Sequence, residues 1–387
     1  MKARERLAAE LRTRIREVTP AEALALQAQG AVLVDVREPG EIAQGTALGA
    51  LPLGRSFLEV RIEEAVPDMG RPIVALCGSG LRSLYAADAL SRLGYASVVS
   101  MAGGFARWKA EGLPVALDSS LGDTERERYS RHLLLPEVGE AGQRRLLDSK
   151  VLLVGAGGLG SPAAFYLAAA GVGTLGVVDE DRVDRSNLQR QILHTEARVG
   201  VSKVASARIA LEALNPSVKV IGHETRLTSA NIDGILPGYD LVVDGSDNFP
   251  TRYLVNDACV KWGRPNVHGA VFRFEGQASV FWPARSTGAG PCYRCLFPEP
   301  PSREDAPNCA QAGVLGVLPG VIGLMQATEA IKLLLGIGEP LVGRLLCYDA
   351  LGGRFTELSF ERDRACRVCG DGREFPGYID YERFCSV

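Results

Sequence analysis

The sequence predicts an α/β chain of two units: a small parallel α/β unit, then a larger, doubly wound one whose sheet continues into longer, mixed strands. Three observations carry that expectation. Residues 151–154, all apolar, run into the glycine cluster GAGGLGS and straight on into the helical SPAAFYLAAAG, which reads as strand, tight turn and helix start. Strand-like runs alternate with helical ones on both sides of that stretch, as a parallel sheet requires. The chain has 387 residues with 46% hydrophobic and 23% charged content, enough for two or three domains that each bury a core.

Taken in order, residues 2–18 form a helix whose stripe is Leu7, Leu11, Ile15 and Val18. A second helix opens at Thr19, with Pro20 first inside it and Glu22 completing a capping box. AVLVDVRE is a buried strand, RPIVALCGSGLRSLYAADALSRLG a strand, glycine-rich loop and helix, and ASVVSMAGG a third strand, which together give a small unit over residues 19–117. Residues 118–127, DSSLGDTERE, are polar without apolar period and read as a linker. The second unit, residues 128–387, starts with the helical RYSRHLLL. TLGVVDED, VKVIGH and DLVVDGSDN supply further strands around the helix KVASARIALEAL. Ligands of such a fold sit at the carboxyl ends of the strands. VHGAVFRFEGQASVFW begins the longer strands, and residues 291–312 form a proline-rich loop expected to be mobile and functional.

Composition excludes several classes. A net charge of -3 gives no sign of nucleic-acid affinity. The N-terminal stretch is basic but lacks the apolar core and cleavage site of a signal peptide. The apolar run over residues 314–338 contains Pro319, Glu329 and Lys332 and reads as a buried helix, not a membrane span. Nine cysteines, an odd number, argue against a disulfide framework and for a reducing, cytoplasmic setting in which cysteines serve metal and sulfur chemistry.

Gly155, Gly157 and Gly160 satisfy a GxGxxG pattern, which by itself does not separate a nucleoside triphosphate from a dinucleotide. Asp179, about twenty residues on, is placed to accept from ribose hydroxyls in an ATP site or an NAD site alike. DRSNLQRQ adds Asn187 and Arg190, and Lys203 opens the next helix. Two cations at the mouth of a glycine loop suit a triphosphate attacked at its α-phosphorus, whereas hydride transfer needs neither. Asp247 and Asn248 stand where a magnesium ligand is useful. Cys292 and Cys295, with Cys366 and Cys369, form two CxxC pairs, the donor set of a closed, structural zinc site. Cys77 begins the loop CGSGLRS, closed by Arg82, whose amides and following helix favour an anionic sulfur. Asp35 and Arg37 read as structural pairing, and Cys259 and Cys347 as core.

RYSRHLLLPEVGEAGQRRL, GAGGLGS, SNLQRQ, SKV, SDN, CYRC and CRVC, recurring in that order over residues 128–370, resemble the MoeB/ThiF family of ubiquitin-activating-enzyme-like adenylyltransferases. The resemblance implies a Rossmann-like adenylating domain. It would use ATP and Mg2+ to adenylate the C-terminal Gly-Gly carboxylate of a ubiquitin-like sulfur-carrier protein, such as the small subunit of molybdopterin synthase. Carriers of thiamine, cysteine or tRNA-thiolation pathways are alternatives within the class. An NAD-dependent oxidoreductase and a non-catalytic carrier-binding scaffold are remoter readings. Carried over motif by motif, Gly158, Asp179, Ser186, Asn187, Leu188, Gln189, Arg190, Lys203, Asp247 and Asn248 bind nucleotide and metal. Arg131 matches an arginine that reaches across a homodimer. Cys309, in APNCAQAGV, matches a cysteine that can form a thioester or acyl disulfide with the carrier.

DVRE, CGSGLRS and GGFARWKAEGLPV match the rhodanese domains in order. That likeness implies a persulfide on Cys77, since the spacing to Arg82 is one residue shorter than in related phosphatases. Gly78 replaces the arginine that many rhodaneses carry, which leaves the donor open; a cysteine desulfurase is the expected class. In fused relatives this domain commonly comes second, whereas here it comes first. The tail FPGYIDYERFCSV reads as a docked strap or a partner contact.

Overall fold

A computed structural model describes residues 3–42, 45–116, 121–285, 288–301 and 313–386. The chain divides into two compact units, Met1–Gly122 and Asp123–Val387.

The first unit has seven strands: β1 (Glu17–Val18), β2 (Val32–Asp35), β3 (Thr46–Ala47), β4 (Leu51–Pro52), β5 (Ile73–Leu76), β6 (Val98–Met101) and β7 (Val115–Ala116). Five form a parallel sheet in the order β1-β6-β5-β2-β4, while β3 and β7 pair antiparallel. Successive side chains of a strand point to opposite faces, so each strand feeds two cores. Val34, Ile73 and Ala75 pack with Leu84 and Leu90, and Leu33, Val74 and Leu76 pack with Met101 and Trp108.

The first helix is shorter than its stripe suggested. It spans Ala3–Arg14, Ala8 is buried in place of the exposed Leu7, and Val18 is buried as a strand residue. The open edge of β6 explains this: Ser100 and Ala102 donate their amides to the carbonyls of Arg16 and Val18, a pairing that a continued helix would forfeit. Pro20 enforces the break by holding Thr19 extended, at φ -74° and ψ 161°. The capping box forms as read, with the Thr19 amide donating to Glu22 Oε2 at 2.7 Å.

The second unit has one sheet of eight strands: β8 (Lys150–Val154), β9 (Thr174–Val178), β10 (Lys219–His223), β11 (Leu241–Asp244), β12 (Asn266–Phe272), β13 (Glu275–Phe281), β14 (Arg344–Asp349) and β15 (Arg354–Ser359). Their order is β10-β9-β8-β11-β12-β13-β14-β15, parallel through β12 and antiparallel beyond. Strand order reverses between β8 and β11, the position at which doubly wound folds open a ligand crevice.

Helix Leu318–Leu335 is, among the described helices, the one long and apolar enough to cross a membrane. It instead contributes Ile322, Ala327 and Ala330 to the sheet core. Its buried Gln326 donates to the carbonyls of Asp244 and Val267, and its Glu329 accepts from the Leu341 amide. Residues 123–128, most of them read as linker, form the helix Asp123–Arg128. Acids in its first turn and arginines in its last suit the helix dipole without any apolar period.

Candidate functional site

Two glycines make the turn after β8. Gly155 has φ +93°, and a side-chain carbon at Gly160 would lie 1.9 Å from the Gly155 carbonyl, so the helix can start there only with glycine. Around this turn lies an open cavity of about 280 Å³, lined by Gly158, Asp179, Arg190, Lys203, Asp247 and Asn248 of the sequence-selected residues.

Asp179, at the end of β9, is nearly buried. Its carboxylate accepts from the amides of Ala156 and Asp181 at 2.8 and 2.9 Å, and Lys203 Nζ is 4.0 Å away. Burial pushes its pKa up, and Lys203 opposes that push. Lys203 is almost fully enclosed and pairs with Asp181 at 2.8 Å. A lysine at a helix start opposes the dipole, so this one is held there by its carboxylates.

Behind the loop, His194 is buried. Its Nε2 faces the Ala156 carbonyl at 2.9 Å and must carry the proton, which leaves Nδ1 to accept from Ser206 Oγ at 2.8 Å. Burial lowers its pKa and keeps it neutral.

Ser186, Asn187, Leu188 and Gln189 sit on the short turn opened by Arg185–Asn187 and do not line the cavity. Ser186 is engaged by Asp184, while Asn187 Oδ1 accepts from Arg190 at 2.9 Å and so aims that guanidinium. Asn248 caps helix Phe249–Trp262 through Thr251, whereas Asp247 is exposed, its carboxylate open toward the cavity. Arg131 is exposed on helix Ser130–Leu133 and does not line this chain's own cavity. Cys309 lies outside the described residues.

Sequence reading passed over Asp181, Gln191, Arg226, Ser246 and His194, all on or directly behind the cavity. Asp181 is the third acid of a DED run, and Gln191 and Ser246 lie inside the SNLQRQ and SDN motifs, whereas Arg226 and His194 left no signal.

The four cysteines of the CxxC pairs come together, with all their sulfurs within 4.8 Å of one another. Measured separations are 3.7 Å for Cys292–Cys366, 3.8 Å for Cys292–Cys295 and 3.4 Å for Cys295–Cys369. A tetrahedral Zn–S distance of about 2.3 Å implies sulfurs about 3.8 Å apart, so the donor set could hold zinc. Between two of these ligands, Arg294 forms a buried two-pronged pair with Asp257, both contacts 2.8 Å. Tyr381 of the C-terminal segment also donates to Asp257, at 2.9 Å, so the tail docks as a strap.

In the first unit, Cys77 is fully buried at the end of β5. The Gly80 amide donates to its sulfur at 3.1 Å, and Ser83 Oγ is 3.5 Å away. Gly104 packs flush on this loop, where a side-chain carbon would meet the Cys77 carbonyl at 2.3 Å. Arg82 pairs with Glu41, and Asp35 with Arg37. The Asp35 carboxylate is satisfied by Arg37 and by Thr46 Oγ1 at 2.6 Å, which suits a structural role. Cys259 is buried and its pKa driven up by burial, whereas Cys347 is only half-buried on β14.

The family model described as ThiF family matches residues 129–368, and the one described as rhodanese-like domain matches residues 19–111. A sulfur carrier protein adenylyltransferase of Thermus thermophilus is 54% identical over 264 residues, covering 68% of this chain and 97% of that protein. The SAMP-activating enzyme E1 of Haloferax volcanii is 53% identical over 269 residues, covering 69% and 98%. A probable adenylyltransferase/sulfurtransferase MoeZ of Mycobacterium tuberculosis is 51% identical over 269 residues, covering 70% and 67%. Among solved structures, E. coli MccB superimposes with a TM-score of 0.56 over 69% of this chain and 78% of that one. At 21% identity this likeness speaks for the fold alone.

Proposed function

This chain belongs to the ThiF family, and from that membership we propose that it uses ATP to adenylate the C-terminal Gly-Gly carboxylate of a ubiquitin-like sulfur carrier and then helps convert it to a thiocarboxylate. The carrier we favour is the small subunit of molybdopterin synthase. Carriers for thiamine, cysteine or tRNA thiolation demand the same chemistry.

One observation supports the reading most: Arg190, Lys203 and the exposed Asp247 converge on the cavity at the glycine turn. The carrier carboxylate attacks the α-phosphorus, the bond to the bridging oxygen breaks, and pyrophosphate leaves with the electron pair. Charge neutralisation by Arg190 and Lys203 is the main catalytic contribution of such a site. Asp179 holds the ribose while its other lone pairs fix the glycine loop. Asp247 would hold magnesium, which shields the phosphate charge from the incoming carboxylate. Arg131 would act on the phosphates of a partner subunit in a homodimer. Zinc on the four cysteines would be structural, since four thiolates leave no open position. The second step would use the outer sulfur of a Cys77 persulfide, supplied by a cysteine desulfurase, to displace AMP, leaving an acyl disulfide that a thiol reductant cleaves to free the thiocarboxylate.

ATP–pyrophosphate exchange with purified chain, magnesium and a panel of Gly-Gly-ending carriers tests this. Exchange that depends on one carrier would support adenylation and identify the pathway. Silence with every carrier, in protein that binds ATP, would refute it.

A further inference from the structure

The arginines around the Cys77 loop are matched to carboxylates. Arg37 is buried against Asp35, Arg55 pairs with Glu59 and Arg107 with Glu111. Arg82, the cation that closes the loop, is gripped by both oxygens of Glu41, each contact 2.6 Å. This pair lies on the loop itself: a side-chain carbon at Gly78 would come 3.2 Å from Arg82 Nη2 and 3.5 Å from Glu41 Oε1. Beside it, Glu38 is met by the Ser56 hydroxyl at 3.4 Å and adds a second negative charge.

One amide of the loop is committed to the sulfur, and two of the loop's carbonyls are tied to the next helix. The Phe105 and Ala106 amides donate to the Cys77 and Gly78 carbonyls at 2.7 and 3.1 Å, and the Gly80 amide points at the Cys77 sulfur. An oxyanion head group arriving at Cys77 would meet Arg82 as the loop's own cation, and that charge is cancelled by Glu41.

We propose that Glu41 is a specificity-determining residue for the sulfur donor. By neutralising Arg82 it makes the Cys77 loop reject small dianionic donors such as thiosulfate and accept persulfides that bring no anionic head group. The proposal rests on the reading of Cys77 as a sulfur carrier. With either donor the Cys77 thiolate attacks the transferable sulfur, the donor S–S bond breaks, and the leaving group takes the electron pair. From thiosulfate that group is sulfite, so negative charge is concentrated on an oxyanion at the loop mouth. From R–S–SH it is the thiolate R–S⁻, and Cys77 becomes the persulfide.

The test compares the full wild-type chain with Glu41→Gln and with the double variant Glu38→Gln, Glu41→Gln. Thiosulfate–cyanide turnover is followed as thiocyanate across ionic strength. Cys77 loading by a cysteine desulfurase supplied with L-cysteine is followed in parallel, by mass. Glu41 is half-exposed, so the variants keep the fold. Wild-type thiosulfate turnover should be poor and rise with salt. Glu41→Gln should raise its kcat/KM about tenfold, at the low end of electrostatic focusing because the groups are partly solvated. The double variant should make turnover fall with salt, a reversal that a merely structural Glu41 would not produce, and desulfurase loading should be unaltered. An unchanged thiosulfate kcat/KM in Glu41→Gln, with Cys77 still loaded by the desulfurase, would overturn the proposal and leave Cys77 as the carrier. Failure of Cys77 to load from either donor would overturn both.

Discussion

Replacing Asp257 with alanine should be among the most damaging single changes in the second unit. Asp257 is 2% exposed and accepts from Arg294 twice, from Tyr381 and from Asn256. Arg294 is 3% exposed and sits over the rings of Tyr253 and Phe384, at 4.6 and 4.9 Å. It cannot swing into water without breaking that stack. Removing one partner of a buried pair leaves an uncompensated charge and costs about 3–5 kcal/mol. The tail also loses the Tyr381 contact, worth about 1 kcal/mol or somewhat more because its acceptor is charged. Urea unfolding, read on the transition of the second unit, should show that loss. Limited proteolysis should show earlier cutting after residue 371. Adding Arg294→Met to Asp257→Leu should recover most of the stability, since it removes the stranded charge. A loss under about 1 kcal/mol for Asp257→Ala, or no recovery in the double variant, would refute the reasoning.

Three further outcomes are expected. Asp247→Ala should lower carrier-dependent pyrophosphate exchange by about 10²-fold or more without changing thermal stability, because the residue is exposed and its carboxylate accepts a long, weak contact from Asn248 Nδ2 at 3.4 Å; near-normal exchange would remove it from the site. Cys77→Ala should leave exchange intact and abolish thiocarboxylate formation, measured by mass on the carrier. Asp179→Asn should weaken ATP binding and lower Tm by about 2–4 °C, because one amide oxygen cannot replace the two carboxylate oxygens that accept from Ala156 and Asp181. Burial raises the pKa of this carboxyl, so its contribution is favourable only below the unfolded value of about 3.9 and is lost as pH climbs through the folded one. In the wild-type chain this group therefore favours folding only at acid pH, and a raised Tm in Asp179→Asn would contradict the role of its two oxygens in holding the loop.

The local chemistry of the sites was legible because it is written in short spacings. A glycine turn, a CxxC pair and a capping box each depend on residues within one turn of each other, and all formed as read. Features fixed by distant partners were not. β1 is two residues long, too short for any period, and exists because β6 has a free edge. Asp181 is one acid among three until Lys203, 22 positions away, selects it. Asp257 sits in a helix whose sequence gives no hint that Arg294 and Tyr381 will converge on it. Helix Asp123–Arg128 was missed because end charges, not an apolar stripe, support it.

The cysteine cluster joins residues 74 positions apart, Cys292 to Cys366. Helix Leu318–Leu335 and strands β14 and β15 therefore lie inside a lasso. A bound metal closing a loop of that length would remove about 4 kcal/mol of unfolded-chain entropy, as a covalent cross-link does. It also changes what a cut means. A protease nicking the chain anywhere between residues 296 and 365 would leave two pieces that a bound metal still clamps through four sulfurs, and a chelator would remove that clamp, leaving strand pairing and core packing alone to hold them.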